Sequence, residues 1–92
     1  MAYARVLNID YKTEEDQELY YEKWRQNNFK GFPDAISRTI IKTGPTSTMM
    51  MAVYETEEFA EKARKIADKF LKEQAQHLHD IIEFHGEVLH QE

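Results

Sequence analysis

The hydrophobic pattern of this chain changes its period in a fixed order, and that order limits the fold more than any other feature. Alternation of apolar and polar residues is typical of half-buried strands, whereas a spacing of three or four residues is typical of amphipathic helices. The turn-forming run Gly44-Pro45-Thr46-Ser47 separates the two middle strands and predicts a hairpin between them. The predicted elements are strand 3–12, helix 14–28, strand 35–43, strand 48–55, helix 57–78 and strand 81–89.

Local signals support both helices. Thr13 and Thr56 stand at the predicted N-caps, and acidic residues follow each of them, as suits the positive end of a helix dipole. Gly31 and the run Phe32-Pro33 should end the first helix. The second helix combines an apolar stripe with i,i+4 ion pairs on its wet side. The stripe comprises Phe59, Ala63, Ile66, Ala67, Phe70, Leu71 and Leu78, and the pairs are Glu58/Lys62, Glu61/Lys65 and Asp68/Lys72.

The order β-α-β-β-α-β consists of two crossover units joined by a hairpin. We therefore expect an α+β, ferredoxin-like fold with a four-stranded antiparallel sheet and both helices on one face. On the first strand, Leu7, Ile9 and Tyr11 should point towards the helices. The opposite face should carry a mixed set of residues, namely Val6, Asn8, Tyr54 and the row Glu83, His85 and Glu87.

A mixed sheet face favours a partner sheet over water, so we expect two copies to stack these faces in a homodimer with two-fold symmetry. In such a dimer, Arg38 or Lys42 of one subunit could satisfy the acidic row of the other. We also expect residues 1–92 to form a single domain, because 92 residues are fewer than an average domain contains.

Composition excludes several classes of protein. The chain has 12 Lys and Arg, 17 Asp and Glu and no Cys, which leaves a net charge of −5. Because it lacks a basic track, we expect no nucleic-acid partner, and without cysteine it has no disulfide or thiolate zinc site. No apolar run approaches the roughly 18 residues of a membrane span, so we predict no membrane association and a cytoplasmic location. The 3 glycines are isolated, so no phosphate-binding loop is indicated and we predict no cofactor.

In the run Val53-Tyr54-Glu55-Thr56-Glu57-Glu58-Phe59, a strand ends in an aromatic residue and leads into a capped acidic helix. This run resembles the pattern in antibiotic-biosynthesis-monooxygenase domains, and Gly31-Phe32 resembles the glycine-aromatic pair before their second strand. The resemblance implies a dimeric α+β barrel, in which two sheets stack and each subunit has a small pocket between its helices and its sheet. Members include cofactor-independent oxygenases of aromatic polyketides, haem-degrading enzymes and isomerases.

Several positions depart from the family pattern. Tyr54 stands in place of the usual tryptophan at the strand end, and Ala52 stands in place of a glutamate. Asn8 resembles an asparagine of the haem-degrading branch, but the run Lys62-Ala63 occupies the stretch where that branch has tryptophan and histidine. The resemblance therefore does not favour haem degradation.

One stripe of the first helix is the strongest candidate for ligand binding. Tyr20, Trp24 and Asn28 are spaced by four residues, which places them on one side of a helix. Aromatic walls with one or two polar donors suit an apolar ligand that carries a single polar group, although a plain amphipathic helix with a polar end explains the pattern equally well. Met49 and Met51 could add a flexible wall near Phe70 on the helix side, and ordinary core packing is the alternative.

Histidine and asparagine provide the remaining candidates for catalysis. Asn8 or His77 could hydrogen-bond a ligand oxygen, and His85 between Glu83 and Glu87 could transfer protons. The alternative for His77 is a favourable charge near a helix end, and for His85 it is a satisfied polar row. The histidine spacings do not suit a shared metal ion, so we predict no metal site.

These patterns predict a homodimer that binds a small, mostly apolar, fatty or polyketide-like ligand with a carbonyl group. The family resemblance adds cofactor-independent monooxygenation. A non-catalytic structural dimer and a small-molecule carrier are the alternatives.

Overall fold

Two helices lie on one face of a four-stranded antiparallel sheet in the computed structural model, which describes residues 1–27 and 33–92. The sheet has the order β2-β3-β1-β4, so the first strand occupies a central position. This order and the sequence of elements confirm the predicted ferredoxin-like α+β fold. The elements are β1 (Tyr3–Tyr11), α1 (Glu14–Gln26), β2 (Ser37–Gly44), β3 (Ser47–Tyr54), α2 (Glu57–Glu73), a short 3₁₀ helix (Ala75–His77) and β4 (Leu78–Glu87).

The register of β1 assigns the strand residues to the two faces of the sheet. Leu7 pairs with Met50 of β3 and with Glu83 of β4. Directly opposed residues of antiparallel strands project to the same face, so these three residues share the face that the helices cover. Leu7, Ile9 and Tyr11 are all buried there, as predicted from their alternation.

Two of the predicted strand faces are wrong. Tyr54 pairs with Tyr3 and is buried under α2, and therefore lies on the covered face rather than the open one. Glu83, His85 and Glu87 pair with alternate residues of β1 from Leu7 back to Tyr3, so this row also lies on the helix side. Because side chains alternate with a period of two, β4 presents Ile82, Phe84 and Gly86 on the uncovered face instead.

The two helices contact the sheet in different ways. From α1, Gln17 and Tyr20 are buried, and Gln17 Nε2 donates to the carbonyl oxygens of Gly44 (3.1 Å) and Ser47 (2.8 Å) in the β2–β3 hairpin. From α2, the small residues Ala60 and Ala63 are buried, and they pack against Ala52 and Tyr54 of β3. Phe59 and Leu78 were predicted to belong to the apolar stripe of α2, and this is wrong for both. Phe59 is 41% exposed, and Leu78 begins β4.

The predicted N-caps are confirmed, because Thr13 Oγ1 accepts the amide of Asp16 and Thr56 Oγ1 accepts the amide of Phe59, both at 3.1 Å. The ion pairs on α2 differ from the prediction, since Arg64 pairs with both Glu61 and Asp68 and takes the place of the expected lysine pairs. The predicted end of α1 at Gly31 and Phe32 lies outside the described residues. Neither helix within residues 1–27 and 33–92 has the length and apolar character needed to cross a bilayer.

Candidate functional site

A cavity of about 30 Å³ lies between the two helices and the covered face of the sheet. We call it the helix–sheet cavity. Its volume is close to the roughly 30 Å³ that one water molecule occupies in the liquid. The described residues that line it are Arg5, Leu7, Tyr20, Trp24, Asn27, Arg38, Met50, Ala52, Tyr54, Ala67, Phe70 and Leu71.

Aromatic side chains of both helices form one wall of the cavity. The ring of Tyr20 lies 5.4 Å from the ring of Phe70 and 5.2 Å from that of Tyr11, in tilted arrangements that aromatic pairs favour. Trp24 is half-buried and stacks on Tyr21 at 6.2 Å. Burial raises the pKa of Tyr20, so its phenol keeps its proton at neutral pH and can donate a hydrogen bond.

Arg5 places a positive charge at the middle of the covered face. Its side chain is 3% exposed, and Nη2 donates to Oε1 of Glu83 at 2.9 Å. The Nε–H group is buried and has no hydrogen-bond acceptor in the part of the chain that the structure describes. A buried donor without an acceptor lowers the stability of a fold by roughly 1–3 kcal/mol. A ligand atom that accepts a hydrogen bond from Arg5 Nε–H would remove this penalty, which would favour binding of the ligand.

Arg38 of β2 is the second cation of the cavity lining. Its Nη2 donates to the carbonyl oxygen of Pro33 at 2.7 Å, and its Cζ lies 5.7 Å from the centre of the Tyr54 ring. This distance is within the range of a cation–π interaction. Tyr54 is buried below it, so the cation lies at an aromatic surface where water is partly excluded.

The predicted ligand-binding residues divide into three groups. Tyr20, Trp24 and Phe70 all line the helix–sheet cavity, so the structure brings these three together. Met49 and Met51 pair with Asn8 and Val6 of β1 and lie on the uncovered face, so the prediction that they line a helix-side cavity is wrong. Met50 lies in the cavity instead, because adjacent strand residues project to opposite faces. Asn28 lies outside the described residues.

His77 contacts α1 and does not line the helix–sheet cavity. Its Nδ1 lies 2.7 Å from Oδ1 of Asp16, and Thr13 Oγ1 donates to the other carboxylate oxygen of Asp16 at 2.8 Å. The hydrogen bond to His77, followed by that from Thr13, lowers the pKa of Asp16. His77 was predicted to lie at the end of the second helix. In the structure it is instead the last residue of the short 3₁₀ helix before β4.

His85 and Asn8 also lie away from the helix–sheet cavity. His85 Nδ1 lies 2.7 Å from the Tyr3 hydroxyl, at a second cavity of about 40 Å³ below the start of α2. Asn8 pairs with Met49 and Ile82 on the uncovered face, so it cannot reach a ligand on the helix side. Glu83 of the acidic row forms its ion pair with Arg5 of its own chain, so it does not need a cation from a partner subunit.

Sequence reasoning missed Arg5, Arg38, Met50 and Tyr54 as cavity residues. A signal for Arg5 was present, because Arg5 has the same strand parity as Leu7, Ile9 and Tyr11 and so had to project towards the helices. Within the described residues, no three or more His, Asp or Glu side chains form a group that could hold a metal ion.

Comparisons with known proteins give matches in structure alone. No protein-family model and no curated protein sequence matches the chain. A dimeric ferredoxin-like protein from an uncultured marine organism matches with a TM-score of 0.78 and 18% identity, over 98% of this chain and 90% of the other. A protein from Nitrosomonas europaea, provisionally described as an antibiotic biosynthesis monooxygenase, has the same TM-score of 0.78 and 18% identity, over 96% and 90% of the two chains.

A third similar structure is a mutant of SnoaB, a cofactor-independent oxygenase from Streptomyces nogalater. It matches with a TM-score of 0.74 and 9% identity, over 98% of this chain and 95% of the other. At such identities the likeness concerns the fold. The structural resemblance predicted from residues 53–59 is confirmed at that level: the chain has the ferredoxin-like fold of antibiotic-biosynthesis-monooxygenase proteins.

Proposed function

We propose that this protein is a homodimer in which each subunit binds a small, mostly apolar ligand with a carbonyl oxygen in its helix–sheet cavity. One observation carries the proposal: Tyr20, Trp24 and Phe70 form an aromatic wall opposite buried and half-buried arginine side chains. Ligand sites are commonly apolar clefts with a few placed polar groups that fix orientation. A fatty or polyketide-like molecule with one oxygen-bearing end fits this chemistry.

The uncovered sheet face supports the homodimer. Five large apolar side chains on this face are between 38% and 62% exposed, namely Ile41, Met49, Met51, Ile82 and Phe84. A contiguous apolar surface of this kind marks an interaction site more often than a solvated face. A second copy offers a surface of the same character, and the similar marine protein is described as dimeric.

Ligand binding requires the cavity to widen. Its volume of about 30 Å³ is far below the roughly 300 Å³ of a typical ligand site. Helix α1 is the mobile wall that we propose, because it buries only Gln17 and Tyr20 against the rest of the chain. Trp24 is half-buried at the cavity, so a ligand that enters should change its surroundings directly.

Similarity in fold to a cofactor-independent oxygenase supports oxidation as the reaction. In such chemistry an acidic methylene group of the ligand loses a proton to water, and the carbanion passes its electrons to dioxygen and forms a carbon–oxygen bond with it. The resulting peroxide anion then takes up a proton. The peroxide formed on that carbon then loses water and leaves a carbonyl group. The protein would hold the ligand, exclude water and stabilise the anion through Arg5 and Tyr20.

A titration that follows Trp24, the single tryptophan, tests the binding proposal. Addition of quinols or β-dicarbonyl compounds should change Trp24 fluorescence, and Tyr20→Ala should abolish or strongly weaken the response. Leu19→Ala serves as the control, because Leu19 is an exposed neighbour on the same helix. Oxygen uptake with the compounds that bind then tests catalysis. No response of Trp24 to any compound would contradict the proposal.

A carrier without turnover is the second candidate function. The described residues that line the cavity include neither histidine nor carboxylate, and the raised pKa of Tyr20 makes its phenolate unavailable as a base at neutral pH. A carrier should release an unmodified ligand when protein purified from cells is extracted with organic solvent and the extract is analysed by mass spectrometry. An oxygenase should instead convert its ligand and consume dioxygen.

A further inference from the structure

The charge of the helix–sheet cavity is opposite to that of the chain as a whole. The protein has a net charge of −5, yet the described lining of the cavity contains two arginines and no aspartate or glutamate. The carboxylate nearest to this lining in the hydrogen-bond network is that of Glu83, which binds Arg5. An acidic protein that has a positive aromatic cavity is suited to a ligand that is itself an anion.

Arg5 has an unused donor that such an anion would satisfy. Its guanidinium is almost fully buried and Glu83 engages Nη2, while Nε–H has no acceptor in the described part of the chain. A hydrogen bond from a guanidinium N–H to a carboxylate is charge-assisted and stronger than a neutral one, so Nε–H could donate one such bond to an anionic ligand. Glu83 would act as a positioning residue, because it holds the guanidinium from the β4 side.

The surroundings of Arg5 identify the cavity in which an anion would bind. Arg5 lines both the helix–sheet cavity and the second cavity below the start of α2. The second cavity also contains Glu57, Glu61 and Arg64, so its two carboxylates balance its two arginines, and Arg64 is already paired with Glu61. The helix–sheet cavity contains no carboxylate among its described residues and provides Arg38 as a second cation.

We propose that the ligand of the helix–sheet cavity is an aromatic acid that is ionised at neutral pH, and that Arg5 and Arg38 bind its acidic group. This inference rests on the proposed function, because it specifies the class of ligand for the same cavity. The aromatic ring of the ligand would contact Tyr20, Trp24 and Phe70.

A matched pair of probes separates this inference from the proposed function. 2-Naphthoate and 2-acetonaphthone have the same ring system and nearly the same shape, but only the former is an anion. The indole N–H signal of Trp24 in a proton–nitrogen NMR spectrum reports on both titrations, since the chain has one tryptophan. We expect 2-naphthoate to bind about tenfold more tightly or better at low salt, and this preference to shrink as salt is raised.

Charge-removing variants identify the residues that recognise the acid. Arg38→Met should weaken the binding of 2-naphthoate about tenfold and leave the affinity for 2-acetonaphthone unchanged. If Arg38 had a purely structural role, its replacement would weaken the binding of both probes alike. Arg25→Met is the matched control, because Arg25 is an exposed arginine that pairs with Glu22 on the outer side of α1. The double variant Arg5→Met/Glu83→Met removes the second cation without leaving a lone buried charge, and it should have the same effect as Arg38→Met.

Each outcome of these titrations decides between the two proposals. Equal affinity for the two probes, or an Arg25→Met variant that loses as much 2-naphthoate affinity as Arg38→Met, would overturn the inference and leave the proposed cavity intact. If neither probe shifts the Trp24 signal at millimolar concentration, the proposed cavity fails and the inference fails with it.

Discussion

Asp16 and His77 connect the start of α1 to the turn that precedes β4, with Oδ1 of the carboxylate 2.7 Å from Nδ1 of the imidazole. The two side chains are 20% and 16% exposed, respectively, so water only partly screens the contact. The same carboxylate accepts the hydroxyl of the N-cap residue Thr13. His77 was a candidate for catalysis on sequence grounds, but in the fold it ties two neighbouring chain segments together.

Replacement of His77 by alanine should raise the pKa of Asp16. The hydrogen bond to His77 is the largest cause of the lowered pKa, and the remaining bond from Thr13 retains part of the effect. Carbon-13 NMR of the side-chain carboxyl groups measures this pKa directly. His79→Ala is the control, because His79 is an exposed histidine only two residues away. An unchanged Asp16 pKa in His77→Ala would contradict the role of the contact.

The lowered pKa of Asp16 also fixes the direction of a pH effect on stability. Its pKa is lower in the folded chain than in the unfolded one, where it is about 3.9. The contribution of Asp16 is therefore complete above that value and is lost as the pH falls through the folded pKa. Urea unfolding at pH 6 and at successively lower pH should show the advantage of the native protein over Asp16→Asn shrinking on acidification.

The ion pair between Arg5 and Glu83 should respond unequally to loss of either partner. Arg5 is 3% exposed and Glu83 is 26% exposed, so Glu83→Met leaves a charge in a more buried place than Arg5→Met does. We expect Glu83→Met to lower the free energy of unfolding by about 3 kcal/mol, and Arg5→Met by about 1–2 kcal/mol. Equal losses, or a larger loss in Arg5→Met, in urea unfolding would contradict the burial argument.

The sequence predicted the elements and topology well because these depend on local signals. The caps at Thr13 and Thr56 and the turn at Gly44 lie in short segments whose chemistry identifies them without any long-range information. The covered face of β1 was also predicted, because Leu7, Ile9 and Tyr11 alternate clearly with polar residues. Local signals do not determine which face a strand presents when both of its faces are apolar.

The candidate site was predicted less completely for this reason. The run Met49-Met50-Met51 contains no polar residue to mark parity, so only the pairing of Met50 with Leu7 assigns the faces. Arg5 was missed because a charged residue on a covered strand contradicts the usual pattern, and its partner Glu83 lies 78 residues further along the chain. The roles of Tyr20, Trp24 and Phe70 in ligand binding stay predictions.

The uncovered face gives a prediction about assembly. Phe84 projects from the edge strand β4 onto this face and is 62% exposed, so in the proposed homodimer its ring would contact the second copy. A charge buried there without a partner is costly, and Phe84→Glu should therefore convert a dimer into monomers in sedimentation experiments. Leu19→Glu is the matched control, since Leu19 is 45% exposed on α1 and lies on the helix side of the sheet. A native protein that sediments as a monomer would contradict the dimer.

Tyr11 should make the fold sensitive to alkaline pH. Burial raises the pKa of Tyr11 to about 12, and the hydrogen bond with Thr48 Oγ1 at 2.7 Å opposes this rise only in part. An unfolded tyrosine ionises near pH 10, so the contribution of the neutral phenol is complete below pH 10 and is lost as the pH rises towards 12.

Comparison of each protein with itself at two pH values isolates this effect from the lost hydrogen bond. Between pH 9 and pH 11.5, the free energy of unfolding of the native protein should fall by about 1–2 kcal/mol more than that of Tyr11→Phe. Tyr21→Phe is the control, because Tyr21 is 43% exposed and its removal should leave the alkaline fall unchanged. If Tyr11→Phe loses as much stability as the native protein over this range, the phenol of Tyr11 ionises as readily in the folded chain as in the unfolded one. In that case the burial of Tyr11 between the sheet and α1 does not cause the loss of stability at high pH.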